Sequence, residues 1–294
     1  MKKNLFITDF DGTLLTDEKT ISREDLDTLS CLRKKNTITA IATGRSLYSF
    51  QKALKEINLD GSRLGVDYLI FSTGAGIMAF SGETIIQSHS ILKRDIKKII
   101  AYFDGGKFDY MIHKAIPDTP YFLYKSHGRE NPDFQNRIQL YKEFSTPLNN
   151  SQDLFETATQ VLAIVPGKAD DSQVKTMAAD LSGYSVIHAT SPLDHRSSWI
   201  EVFSKYVSKS LAASWLAKIL HIEQENVISV GNDYNDQDLL EWSGTGYIVA
   251  NAARDLIPKF IKVASNNHCG VSEAVRESYL LKSFSSRSEK LKSG

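Results

Sequence analysis

Asp9 and Asp11 stand one residue apart at the end of a short apolar run, Leu5-Phe6-Ile7, and Gly12 turns the chain directly after them. Two carboxylates at the mouth of a buried strand repel each other and lose hydration. They need a cation, a proton or a dense set of donors. Mg²⁺ meets that need, because it takes hard oxygen ligands and keeps positions for water and phosphate oxygens. Three further segments supply the rest of a phosphoryl-transfer site: Thr43-Gly44-Arg45, Lys209, and Gly231-Asn232-Asp233-Tyr234-Asn235-Asp236. In that chemistry Asp9 can attack phosphorus, splitting one hard displacement into two easier ones. Asp11 can protonate the leaving oxygen and then take a proton from water. The Thr43 hydroxyl and backbone N–H groups near Gly12 and Gly44 can hold non-bridging oxygens. Lys209 supplies fixed positive charge where negative charge accumulates. Arg45, Asn235 and Asp236 are supporting candidates.

These residues lie far apart in sequence, so the elements must bring them together. Ser22-Arg23-Glu24-Asp25 reads as a capping box opening a helix, with Leu26, Leu29 and Leu32 on one face. Thr37–Thr43 and Val66–Ser72 read as strands, as do Val227–Val230 and Gly246–Ala250. A helix from Ser208 is expected to bury Leu211, Trp215 and Ile219. Strands alternating with helices predict a Rossmann-like parallel α/β sheet whose strand ends open onto one crevice.

From residue 82 to residue 195 the texture changes, and a separate inserted α/β unit is expected. There Tyr102, Phe103, Phe108, Tyr110, Tyr121, Phe122 and Tyr124 suggest strands with a half-buried face. Alternation resumes at Ser198-Trp199-Ile200-Glu201-Val202, so residues 1–81 and 196–281 form the core, and the Ser- and Lys-rich tail 282–294 is expected to fray.

Thirty-five basic residues balance 35 acidic ones, which leaves no global field to hold a polyanion and argues against nucleic acid as the main partner. No apolar run approaches membrane-spanning length, and Met1-Lys2-Lys3-Asn4 runs into the first strand without a leader pattern. Cys31 and Cys269 are too few for a disulfide scaffold. A cytoplasmic protein, monomeric or weakly dimeric, is expected, with a small phosphorylated metabolite as its partner.

Asp9-Phe10-Asp11-Gly12-Thr13-Leu14-Leu15 resembles the first motif of the haloacid dehalogenase superfamily. Thr43-Gly44-Arg45, Val207-Ser208-Lys209 and the Gly231–Asp236 run resemble its second, third and fourth motifs, and the insertion resembles the α/β cap of the Cof-type phosphatases. Asn251-Ala252 also fits that subfamily. The resemblance implies Asp9 as nucleophile, Asp11 as general acid/base, and Mg²⁺ bound by Asp9, the Asp11 carbonyl and an acid of the fourth motif. It also implies a cap that selects the leaving group, with sugar phosphates as the favoured class. His113, Tyr121, Tyr124, His127, Arg129 and Arg196 are the candidate selectors. Asn232 departs from the pattern, standing where the family carries aspartate. Either Asn232 offers a neutral oxygen to a more weakly held metal, or Asp233 turns inward to replace it. Ser210 and Thr73 depart too, at positions where glycine and asparagine are usual. A phosphotransferase, a receiver-type switch and a weakened phosphate-binding protein are the alternatives to a phosphatase.

Overall fold

The computed structural model describes residues 4–278 except 36, 151, 152 and 168, so the expected frayed tail lies outside the described residues. One sheet contains strands β1 (Asn4–Thr8), β2 (Thr37–Ala42), β3 (Tyr68–Phe71), β4 (Gly76–Ala79) and β5 (Thr84–Ser88). It also contains β13 (Val227–Gly231), β14 (Thr245–Val249) and β15 (Ile261–Val263), in the order β15-β14-β13-β1-β2-β3-β4-β5. From β15 to β3 every pairing is parallel, and β4 turns back antiparallel. Strand β1 is central, with Thr8 in register with Ile41 on one side and Val230 on the other. Its Leu5, Phe6 and Ile7 are fully buried, as a strand covered on both faces requires.

Helix α1 (Arg23–Lys34) starts at Ser22, whose hydroxyl accepts from the Asp25 backbone N–H. Asp25 is itself buried and accepts from the Ser272 N–H and hydroxyl at 2.8 and 2.7 Å, tying α1 to α8 (Gly270–Glu277). Helix α2 (Leu47–Glu56) follows β2, and α7 (Gln237–Trp242) follows β13. Helix α6 (Lys209–Ile219) corrects the expected stripe. It buries Lys209, Ala212, Ala213, Leu216 and Ala217, while Leu211 and Ile219 are 47% and 43% exposed. Once Lys209 points inward, helical spacing sends residues three, four, seven and eight further on to the same side. The small alanines let the helix lie close to Leu5, Ile7, Ala40 and Ala42.

The second sheet holds β7 (Asp109–Lys114), β8 (Phe122–Lys125), β9 (Ser145–Pro147), β10 (Thr157–Val165), β11 (Tyr184–Thr190) and β12 (Ser198–Ser204), in the order β11-β12-β10-β7-β8-β9, with β6 (Ile91–Leu92) pairing β10. One face packs with α3 (Lys93–Gly106) and α5 (Asp171–Asp180) around Ile99, Phe103, Tyr110, Val161 and Met177. The other packs with α4 (Pro132–Leu140) around Met111, Phe122, Phe134 and Trp199.

The chain divides into a first unit of Met1–Thr43, Lys52–Ile86 and Lys209–Gly294, and a second of Gly44–Gln51 and Gln87–Ser208. Two expectations are corrected here. Strand β5, expected beyond the boundary at 82, stays on the first sheet, and β12, expected in the core, pairs antiparallel with β10 and β11. Trp199 faces one cluster while Ile200 and Val202 face the other, so its buried run reads like a parallel core strand. Tyr102 and Phe103 lie on α3, because Ile96, Ile99, Ile100 and Phe103 recur at helical spacing. The fold is mixed α/β, a largely parallel sheet with an inserted α/β unit. Among the described residues no helix is long and apolar enough to cross a membrane.

Candidate active site

Parallel pairing of β1, β2 and β13 in register brings Asp9, Thr43 and Asn232 to adjacent strand ends. The Asp9 N–H still donates to Val230 O at 2.9 Å, and the Thr43 N–H to Ile70 O at 2.8 Å. Asp9 is 4% exposed, and Lys209 is fully buried beside it. The Lys209 ammonium donates to Asp9 Oδ1 at 2.7 Å and to Asp236 Oδ1 at 2.6 Å. Burial alone would lower this lysine, but Asp236 and Asp9 outweigh it and hold the ammonium above the ordinary lysine range. For Asp9 the balance runs the other way. Burial first, then Asp236, push its carboxyl up to about 7 against the pull of Lys209. One ammonium between two buried carboxylates leaves net negative charge, which a cation would balance.

Asp236 fixes the fourth segment. Its Oδ2 accepts from the Asn232 and Asp233 backbone N–H groups at 2.9 and 3.0 Å. This is possible because Gly231 has no side chain, since a Cβ there would stand 2.6 Å from Asp236 Cβ. The Asp233 carboxylate accepts from the Asp236 N–H and closes the turn Tyr234–Asp236, which also contains Asn235.

The amide of Asn232 reaches the first motif. Its terminal atom stands 3.1 Å from Asp9 Oδ2, 3.1 Å from the Asp11 carbonyl oxygen and 3.0 Å from Thr13 Oγ1. Oxygens sharing an octahedral Mg²⁺ at about 2.0–2.1 Å lie about 3 Å apart. Asp9 Oδ2 and the Asp11 carbonyl each stand from an Asn232 oxygen at the spacing two ligands of such a shell would have. Among the described residues no three His, Cys, Asp or Glu side chains form a metal set, so the cation would rest on a backbone carbonyl and an amide as well as carboxylate.

Gly12 takes φ +73°, a turn that keeps Asp11 and Thr13 on the same loop as Asp9. The Asn251 amide donates to Gly12 O at 2.8 Å and accepts from the Asn266 N–H at 2.9 Å. Asn266 in turn donates to Leu15 O at 3.1 Å. Neither Thr13 nor Asn266 was singled out from sequence as a site residue. Thr13 carries a signal in the Asp-Gly-Thr run, whereas Asn266 carries none.

Gly44 and Arg45 fall in the second unit, where the Arg45 guanidinium donates to Ser49 O and Oγ, each at 3.3 Å. Of the other selectors proposed from sequence, Arg129 and Arg196 are exposed. His127 is pinned, its N–H donating to Asp109 Oδ1 at 2.6 Å and its ring 3.2 Å from Asp104 Oδ1. His113 is buried, and its ring hydrogen-bonds Thr119 O through Nδ1 at 3.0 Å. Its Nε2 and the Thr119 hydroxyl have no partner among the described residues. Gln160 lies opposite His113 and Glu201 opposite Leu162 on the same sheet face, both buried. Gln160 and Glu201 went unnoticed because strand alternation around them is apolar.

A family profile of haloacid dehalogenase-like hydrolases matches residues 6–275. YxeH of Bacillus subtilis (strain 168) is 26% identical over 294 residues, covering 95% of this chain and 99% of YxeH. The 5-amino-6-(5-phospho-D-ribitylamino)uracil phosphatase YitU of the same organism is 24% identical over 287 residues, covering 95% and 99%. Among solved structures, the subclass IIB sugar phosphatase BT4131 superposes with a TM-score of 0.73 at 17% identity, covering 95% of this chain and 100% of that one.

Proposed function

The chain belongs to the haloacid dehalogenase-like hydrolases and is a phosphatase of small phosphomonoesters, and we propose that it is Mg²⁺-dependent, works through an aspartyl-phosphate on Asp9, and favours phosphorylated sugars and polyols. The observation that carries this reading is the buried Asp9–Lys209–Asp236 chain beside Asp11 and Asn232.

In the proposed sequence an Asp9 carboxylate oxygen bonds to phosphorus and the ester oxygen leaves, taking a proton from Asp11. Asp11 then accepts a proton from water as that water attacks phosphorus. The phosphorus–Asp9 bond breaks, and inorganic phosphate departs with Asp9 restored. Lys209 keeps its proton throughout and stabilises charge on Asp9 and the phosphoryl oxygens. Thr43 and backbone N–H groups around Gly12 hold those oxygens. Asp9, the Asp11 carbonyl and Asn232 would hold Mg²⁺, which would neutralise charge between the carboxylate and the phosphate. Asp233 is left to its capping role and Asp236 to positioning Lys209.

The leaving-group preference draws on one relative: YitU is named for a substrate whose phosphate sits on a ribityl chain. The test is phosphate release from sugar phosphates, polyol phosphates, nucleotides, flavin mononucleotide and pyridoxal phosphate, with Mg²⁺ or with chelator, beside Asp9→Asn. Fastest turnover of sugar and polyol phosphates, lost in chelator and in the variant, is expected. No release from any of them would overturn the reading.

A further inference from the structure

We propose that Asn232 gives the metal site a second, self-satisfied state: its amide nitrogen takes the cation's place, and Mg²⁺ binds only by turning that amide over. The inference rests on the Mg²⁺ site assigned above.

The argument begins with which atoms meet. The terminal atom of Asn232 has three oxygens around it, Asp9 Oδ2 at 3.1 Å, Asp11 O at 3.1 Å and Thr13 Oγ1 at 3.0 Å. An amide can present either of two atoms there. When Oδ1 is presented, the Asp11 carbonyl and the ionised Asp9 carboxylate can only accept, and only the Thr13 hydroxyl bonds it. When Nδ2 is presented, all three neighbours can accept, and the amide oxygen at the far end faces donors instead of acceptors. The nitrogen placement therefore satisfies both ends of the amide without a cation. The oxygen placement needs a cation among Asp9 Oδ2, Asp11 O and Asn232 Oδ1.

Aspartate at this position has no such choice. It carries no donor, and as a carboxylate it would add charge beside Asp9, itself 4% exposed. Without metal it repels; with metal it attracts. Asparagine reverses both effects. It stabilises the metal-free site through its donor bonds and weakens metal binding twice, by those bonds lost on turning over and by the missing charge. The exchange asks no backbone movement, since the Asn232 N–H on Asp236 Oδ2 at 2.9 Å and the Asp9 N–H on Val230 O are independent of the amide's orientation. Only the amide plane turns.

The test compares the native chain with Asn232→Asp and Asn232→Ala by thermal unfolding in EDTA and in Mg²⁺, and by calorimetric Mg²⁺ titration without substrate. In EDTA both variants should melt below the native protein, Asn232→Asp lowest. Mg²⁺ should raise the melting temperature of Asn232→Asp most, and bind it about tenfold or more tightly than native. In the native protein, the Asn232 side-chain NH₂ resonance, assigned by its loss in both variants, should shift on Mg²⁺ addition. Equal melting of native and Asn232→Asp in EDTA with equal Mg²⁺ affinity would overturn the proposal, as would an unmoved NH₂ resonance at saturating Mg²⁺. None of these readouts needs turnover. A phosphatase reading that fails, with Asp9→Asn still active, is therefore separable from failure here.

Discussion

Lys209 and Asp9, 200 positions apart, meet at 2.7 Å with the lysine fully buried. A buried ammonium is tolerated only because Asp9 and Asp236 both accept from it, and Asp9 is tolerated only because Lys209 donates. Removing Lys209 leaves two buried carboxylates facing each other. Lys209→Met should lose about 3–5 kcal/mol of stability in urea unfolding and lower kcat about 10²–10³-fold. A variant as stable and active as native would show that the lysine does not bind this site together.

Gly231 matters through what it lacks. An alanine Cβ would overlap Asp236 Cβ at 2.6 Å and push that carboxylate from Lys209 and from the Asn232 N–H. Gly231→Ala should lower kcat about 100-fold, the scale of a misplaced catalytic group, while circular dichroism stays native. An unchanged kcat would mean that Asp236 is not a positioning residue.

Burial of His113 should make the second unit acid-sensitive. Burial, then the nearby Arg137 charge, push its imidazole down to about 3 against the Thr119 carbonyl. The folded state therefore keeps His113 neutral, while the unfolded chain protonates near 6.5. Stability is fully present above about 6.5 and is lost as pH falls from there toward 3, by about 2 kcal/mol at pH 5. His113→Asn should shrink the difference in urea midpoint between pH 7 and pH 5. An unchanged difference would place the acid sensitivity elsewhere.

Asn251 holds the Asp9–Thr13 loop from behind, donating to Gly12 O at 2.8 Å. Asn251→Ala should cost about 0.5–1.5 kcal/mol and lower kcat more than it alters KM. A variant raised only in KM would contradict a role in placing Asp11 and Thr13.

The first motif was legible because its chemistry is contiguous: an apolar strand, two acids, a glycine turn. Lys209 was legible only by type and order, and the stripe expected behind it was wrong. Apolar size favoured Leu211 and Ile219, but the inward lysine set the helix rotation and selected alanines. Strand β12 misled for a related reason, since a strand buried on both faces carries the same pattern in either sheet. The partners of Asn232 and Asn251 are contacts between distant loops, and no local spacing announces them.

The central claim is that Asp9 itself carries the phosphoryl group. Rapid acid quench during turnover with Mg²⁺, followed by borohydride reduction and peptide mass spectrometry, tests it directly. The account predicts homoserine at position 9, dependent on substrate and absent in Asp9→Asn. Phosphate release with Asp9 unreduced and another carboxylate modified, or none, would contradict it.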